Sequence, residues 1–201
     1  MKVLVACEYS GTVRDAFIAQ GHDAVSCDLL PSDKPLNGPH YEGSVTDILY
    51  DQHWDLLIGH PPCTYLTNSG VSWLHKRPER WQQLDDGAAF FKLLWNAPVD
   101  KICLENPIMH KYALERIGAG KQNQVIQPWM FGHMEKKGTG LWLKNLPLLK
   151  PTSNLLEETN KLPKNIQQRI HMLPPTADRW KLRSTTFQGI ADAMAQQWGS
   201  I

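Results

Sequence analysis

The sequence predicts an α/β protein built on a mostly parallel sheet with helices on both faces. Three observations carry that prediction. Residues 2–7 form an uninterrupted apolar run of strand length, as expected of a strand buried on both faces. A glycine-bearing turn, a helix-spaced segment and a second strand ending at Asp28 follow, which is a βαβ opening. Two more short apolar runs, residues 56–58 and 101–104, lead straight into polar turns that contain proline.

A chain of 201 residues, 42% hydrophobic and 20% charged, is read as a single soluble globular domain over residues 1–201. The net charge of +1 argues against a strongly basic DNA-coating protein, though not against a local basic face. No apolar run approaches the roughly 20 residues of a membrane span, and the N-terminus lacks a signal-peptide layout. Cys7, Cys27, Cys63 and Cys103 form no CxxC pair, so zinc is not expected, and they read as reduced thiols of a cytoplasmic protein.

In chain order, the first strand breaks at residues 8–11. Val13, Phe17 and Ile18 then set a helical spacing that stops at Gly21. Residues 22–27 give the second strand. Gly11 would let the backbone approach a ligand closely, and Asp28, roughly twenty residues further on, would accept from a ribose hydroxyl. Residues 31–43 are rich in turn formers and read as a loop. Residues 44–49 bring a short strand or turn, where Asp47 either reaches the same pocket or caps the helical turn after it.

The stretch 54–65 is the centre of the reading. A short buried strand runs into His60-Pro61-Pro62-Cys63, and two prolines fix φ and remove two backbone donors. Cys63 is thus expected on a rigid ledge beyond the C-terminal end of a strand, the edge where ligands bind in open α/β sheets; the plainer alternative is a thiol used only for packing. After a polar loop at 65–70, Pro78 opens a helix whose apolar stripe includes Trp81, Leu84, Ala88, Phe91, Leu94 and Trp95. Pro98 ends it. Residues 101–104 form another strand, and Glu105-Asn106-Pro107 leaves its tip on the same edge as Cys63.

Residues 120–180 are expected to form a small irregular subregion. Strands at 123–129 and 140–145 flank a loop in which Lys136, Lys137 and Thr139 suit an anion or a phosphate backbone, if they are not simply solvated. Pro147, Pro151, Pro163, Pro174 and Pro175 mark the region around 150–180 as extended and partly flexible. An amphipathic helix over 189–198 closes the chain. Eight tryptophans either stack on something flat or hold the later half together.

A thiol and a carboxylic acid on adjacent strand tips, beside a nucleotide-type pocket, suit one chemistry. The thiolate adds to an electron-poor ring carbon while the acid protonates the ring nitrogen that receives the charge. The order of these pieces resembles that of DNA cytosine-5 methyltransferases, especially the compact phage-type members: Pro62-Cys63 resembles their Pro-Cys motif and Glu105-Asn106 their Glu-Asn motif. The resemblance implies a Rossmann-like S-adenosylmethionine-dependent methyltransferase fold with S-adenosyl-L-methionine as cofactor and DNA as substrate. Cys63 would add to C6 of cytosine, and Glu105 would support protonation at N3. Lys137 and Thr139 would complete the catalytic group. Cofactor contacts would come from Cys7, Glu8, Tyr9, Ser10, Gly11, Asp28, Leu29, Asp47, Ile48 and Pro61. Nucleic acid would meet Lys136, Lys137, Asn68 and Ser69, and residues 186–198 would return beside the cofactor.

The chain departs from that pattern in places. Gly11 is the one clear glycine of the first turn, Thr64 replaces the usual glutamine, and the basic motif has lysines, which cannot grip phosphate in a planar fork. Residues 140–180 are too few for a full target-recognition domain, so specificity is low or is supplied by a homodimer or another partner. A base in duplex DNA must be flipped out at a cost of about a few kcal/mol, which a single strand avoids. Three other readings remain at this point. His60-Pro61-Pro62-Cys63 also resembles the Asp/Asn-Pro-Pro-aromatic loop of exocyclic amino methyltransferases, acting on N6 of adenine or N4 of cytosine. A non-catalytic nucleic-acid-binding protein could use the same fold. The activated ring carbon could also take a one-carbon unit other than methyl.

Overall fold

The apolar runs fold as the strands β1 (Lys2–Ala6), β2 (Asp23–Asp28), β4 (Leu56–Gly59) and β5 (Lys101–Pro107). They are seen in a computed structural model that describes residues 1–201 apart from the surroundings of Gly70. With β3 (His40–Glu42), β6 (Gln124–Ile126) and β7 (Thr139–Lys144) they make one seven-stranded sheet in the order β3-β2-β1-β4-β5-β7-β6. Every pairing from β3 through β5 is parallel, and β7 runs antiparallel to both of its neighbours. The chain builds outward from β1 to β3, then crosses back to place β4 on the other side of β1. A crevice opens at such a reversal, beyond the C-terminal ends of β1 and β4.

Alternate residues of the central strands feed opposite faces, as a strand repeat of two requires. Val3, Val5, Leu56 and Ile58 pack under helices α1 (Thr12–Ala19) and α8 (Gln188–Trp198), with Phe17, Met194 and Trp198 filling the layer. Leu4, Ala6, Leu57 and Leu104 pack under α3 (Glu79–Trp95) and α4 (Lys111–Ile117), with Leu84, Phe91 and Trp142. Trp142 and Trp198 are fully buried, and each donates its indole N–H to a carbonyl, of Gly120 and Pro147 respectively. Those tryptophans hold the core, whereas Trp73 and Trp180 are exposed. No helix among the described residues is long and apolar enough to cross a membrane.

The structure departs from the sequence reading at four places and adds to it a helix, α4. The loop over 31–43 contains β3, which pairs with β2 from His40 to Glu42. Residues 44–49 are helical: α2 spans Val45–Ile48, and it is Ser44 that caps it, accepting from the Thr46 N–H at 3.4 Å. Strand β5 does not stop at Leu104. Its partner β4 ends there, but β7 carries the pairing on through Glu105, Asn106 and Pro107, so Glu105 is held inside a strand. Helix α4 begins where the His110 ring accepts from the Ala113 N–H and ends at left-handed Gly118. The segment expected to be extended around 150–180 holds α5 (Leu156–Lys161), α6 (Lys164–Gln167) and the start of α7 (Arg179–Ser184), because its prolines sit before and between short helical turns.

One buried cation fixes the side of the crevice. Arg14 on α1 is fully buried, pairs with Asp15 at 2.7 Å, and donates to Ser26 Oγ, Ser32 Oγ and the Lys34 carbonyl. It thereby ties the β2–β3 connection to α1. Gly11, at φ 67°, leaves room for it; a Cβ there would lie 2.5 Å from an Arg14 nitrogen. Arg14→Ala strands those acceptors. It is expected to lower stability by about 3 kcal/mol in urea titration and to speed thermolysin cleavage before Leu36.

Candidate active site

Three consecutive strand ends form the floor of the site. Ala6 pairs with Gly59 and Gly59 with Leu104, so the next residues of each strand, Cys7, His60 and Glu105, continue the same row. The His60 N–H donates to the Ala6 carbonyl at 3.0 Å, extending the ladder by one bond before the prolines remove their donors. Asn106, 1% exposed, donates from its side-chain amide to the Pro61 carbonyl at 2.9 Å. The Leu66 and Thr67 N–H groups then turn back to the Cys63 carbonyl, and Thr67 bridges to Met109 beyond β5. The proline turn is therefore pinned to β5 from both of its ends.

Cys63 is half-buried at the tip of this turn and belongs to neither apolar cluster. Burial pushes its thiol above the ordinary cysteine range. Arg183 and then Lys137 pull it back, while Glu105 adds to the push. These groups share one electrostatic neighbourhood with the sulfur. The other three thiols are worse placed to ionise. Burial and the Asp28 charge carry Cys7 and Cys27 up to about 12, and burial carries Cys103 well above the ordinary value.

Glu105 is nearly buried, and its Oε2 lies 3.3 Å from Nδ1 of His60. Burial favours the neutral acid, but His60 first and Lys137 second outweigh it and hold the carboxyl below its ordinary range. For His60, burial opposes charge. The Glu105 carboxylate, helped by Glu8, overcomes burial and the opposing Lys137, so the imidazole is held above its ordinary range. Lys137 donates from Nζ to the Arg183 carbonyl at 2.8 Å, which ties α7 to the site, and the Thr139 hydroxyl donates to the Lys137 carbonyl at 3.3 Å. Thr139 itself is buried in β7 opposite Pro107. Lys136 turns the other way, donating to Asn160 Oδ1 at 2.6 Å. Asn68 and Ser69 are exposed just after the proline turn, with the Asn68 N–H donating to the Ile108 carbonyl.

Across the crevice a cavity of about 160 Å³ is lined by Cys7, Asp28, Leu29, Val45, Pro62 and Phe90, among others. Cys7 enters it with a left-handed φ of 59°, an uncommon backbone state for a side-chain-bearing residue and one that clusters at functional sites. Burial raises the Asp28 carboxyl above its usual range, against the pull of the Leu30 N–H that it accepts at 3.0 Å. Of the anticipated cofactor residues, Cys7, Asp28 and Leu29 line this cavity. Asp47 instead accepts from the Tyr41 hydroxyl at 3.2 Å, and Ile48 lines a separate cleft of about 290 Å³ at the β3 edge. Pro62 rather than Pro61 faces the cavity.

The first turn is closed from within. Glu8, buried, accepts from the Val13 and Arg14 N–H groups at 2.7 and 3.2 Å and from the Ser10 hydroxyl, so it fills the N-terminus of α1. Tyr9 is buried under α7, its hydroxyl donating to the Lys181 carbonyl at 2.8 Å. The lining of the cavity, the Asp28 carboxylate among the apolar Leu29, Val45, Pro62 and Phe90, suits the hydroxyls and the ring of a nucleoside.

No protein-family model matches the chain, and no curated protein matches it in sequence. Solved structures do share its architecture. One is described as a DNA modification methyltransferase encoded within a prophage of E. coli, with a TM-score of 0.51, 14% identity, and coverage of 82% of this chain and 56% of that one. Another is the Entamoeba histolytica methyltransferase EhMeth, with a TM-score of 0.53, 14% identity, and coverage of 77% and 57%. The chain shares the fold of these two methyltransferases. At this identity the likeness speaks to the fold alone, and the chain spans somewhat over half the length of these methyltransferases.

Two residues of the site escaped sequence reasoning. Arg183 comes from α7, and no spacing connects residue 183 with residue 63. His60 had a visible signal, its place at a strand end, but its partner could not be read without the β4–β5 register. With iodoacetamide at about pH 9, Cys63 is expected to be alkylated before Cys7, Cys27 and Cys103 in peptide mass spectra. Arg183→Gln should slow Cys63 labelling by roughly two- to tenfold by removing the largest cationic pull on the thiol.

Proposed function

We propose that the protein transfers a methyl group from S-adenosyl-L-methionine to C5 of cytosine in DNA through a covalent adduct between Cys63 and C6. The observation that carries this reading is the pinned proline turn: Asn106 ties the loop bearing Cys63 to the strand bearing Glu105, with the Asp28 cavity beside them. S-adenosylmethionine, when bound, supplies the electrophilic methyl group.

Apart from the C5 proton, which leaves to water, the other steps fall to the chain's own side chains. Asp28 accepts from the ribose hydroxyls, and Leu29, Val45, Pro62 and Phe90 wall the adenine. Arg183 and Lys137 lower the cost of the Cys63 thiolate, against a burial that holds the free thiol above its ordinary range. As the S–C6 bond forms, the ring π electrons shift to N3, which takes a proton from the Glu105 position. C5 becomes nucleophilic and takes the methyl group. It then loses its own proton to water, the S–C6 bond breaks to return the thiolate, and N3 gives its proton back. The exocyclic amino alternative would need His60 and Cys63 to serve as amine acceptor and stacking ring, whereas His60 is engaged with Glu105.

Incubation with S-adenosylmethionine and DNA containing 5-fluorocytosine tests the reading. With no C5 proton to lose, wild-type protein should remain joined to the DNA through the Cys63 peptide, and Cys63→Ser should give no adduct. Glu105→Gln should lower turnover by about a hundredfold or more. Methyl found on an exocyclic nitrogen, or an adduct formed by Cys63→Ser, would overturn it.

A further inference from the structure

We infer that His60 is a positioning residue for Glu105, holding its carboxylate at the sheet edge beside the proline turn and carrying the proton that Glu105 passes to the substrate ring. The inference rests on the reading of Glu105 as the acid that serves N3. Its ground is geometric. His60 follows the last residue of β4 and Glu105 follows the partner of that residue in β5, so the parallel register sets the two side by side. The backbone is fixed on both sides, by the His60 N–H on Ala6 and by Asn106 on Pro61. The Nδ1–Oε2 approach is 3.3 Å. Nε2 of His60 and Oε2 of Glu105 are both buried with no hydrogen-bond partner, so the contact between the two side chains reduces to one ion-pair approach between Nδ1 and Oε2. Such orphaned buried atoms are rare and call for an explanation.

The pair solves a proton problem that the acid alone would face. A carboxyl beside an imidazolium is ionised near neutral pH and has no proton to give. Taken together, however, the two groups hold one. The Nδ1–H bond breaks, its proton passes to the Glu105 carboxylate, and the carboxylate hands that same proton on to N3. The carboxylate ends unchanged, the imidazole ends neutral, and N3 gains one hydrogen. Release of the product runs the same transfers backwards.

The groups facing the pair come from several elements. Glu8 in the β1–α1 turn favours charge on His60, and Lys137 before β7 opposes it; Asp28 at the end of β2 feels the His60 charge. Cys63 on the same loop feels Glu105, with Arg183 of α7 beyond it. The sign follows. His60 titrates above its ordinary value and Glu105 below its own, so the one-proton pair is present between them and is lost as pH rises through the His60 value.

Two measurements test the inference. In the first, kcat is followed against pH for wild type and His60→Asn. The variant should lose activity by roughly 10- to 100-fold at about pH 8, and come within roughly threefold of wild type at the acid end, its alkaline limb displaced downward. A loss by the same factor at every pH is what mere structural damage gives, and it would overturn the inference. In the second, the His60 ring resonance, assigned by its absence from His60→Asn, is titrated in wild type and in Glu105→Gln. It should titrate at lower pH in the variant, and an unmoved titration would also overturn the inference. The second measurement needs no turnover. Coupled titration without a fluorocytosine adduct in wild type would therefore fault the proposed function, whereas an adduct with uncoupled titration would fault the role of His60.

Discussion

The hydrogen bond from Asn106 to the Pro61 carbonyl is the constraint on which the site depends. Two prolines in succession give the turn after β4 its stiffness but take away the donors that would attach it to the sheet. A stiff turn without attachment could point anywhere. Asn106 restores the attachment from the neighbouring strand, and it does so next to Glu105. The distance between thiol and carboxyl is thus governed by a strand pairing rather than by a loop. Sites built on regular elements hold their geometry more closely than sites built on loops.

Charge in the crevice is distributed with equal economy. The thiol is half-buried, which disfavours its ionised form, and the cations that offset this come from far along the chain, Lys137 before β7 and Arg183 on α7. Helix α7 has only six residues and would have little stability alone. It is held by the Tyr9 hydroxyl on the Lys181 carbonyl and by Lys137 on the Arg183 carbonyl. The first turn after β1 therefore helps to place a cation near Cys63.

Much of this was legible in the sequence. The buried runs of β1, β4 and β5 announce themselves because a strand covered on both faces has no polar alternation to hide it. Cys63 and Glu105 could be placed on one edge because each follows such a run. What could not be read was the result of pairing between distant segments. Glu105 lies within β5 only because β7 extends the ladder past Leu104, and the His60–Glu105 contact exists only through the β4–β5 register. The short helices after residue 150 were hidden by their prolines, which mark turn starts as readily as extended chain. Asp47 was read toward the pocket, yet a helix capped by Ser44 carries it to the Tyr41 hydroxyl.

The closing of the α1 N-terminus by Glu8 has a consequence for traffic through the crevice. An open helix end attracts anions, whereas one already neutralised by its own acid, with Asp28 nearby, gives the advantage to positively charged guests. The helix end that could have gripped an anionic guest is taken up by the chain's own acid, so an anion entering the crevice must find its partners elsewhere.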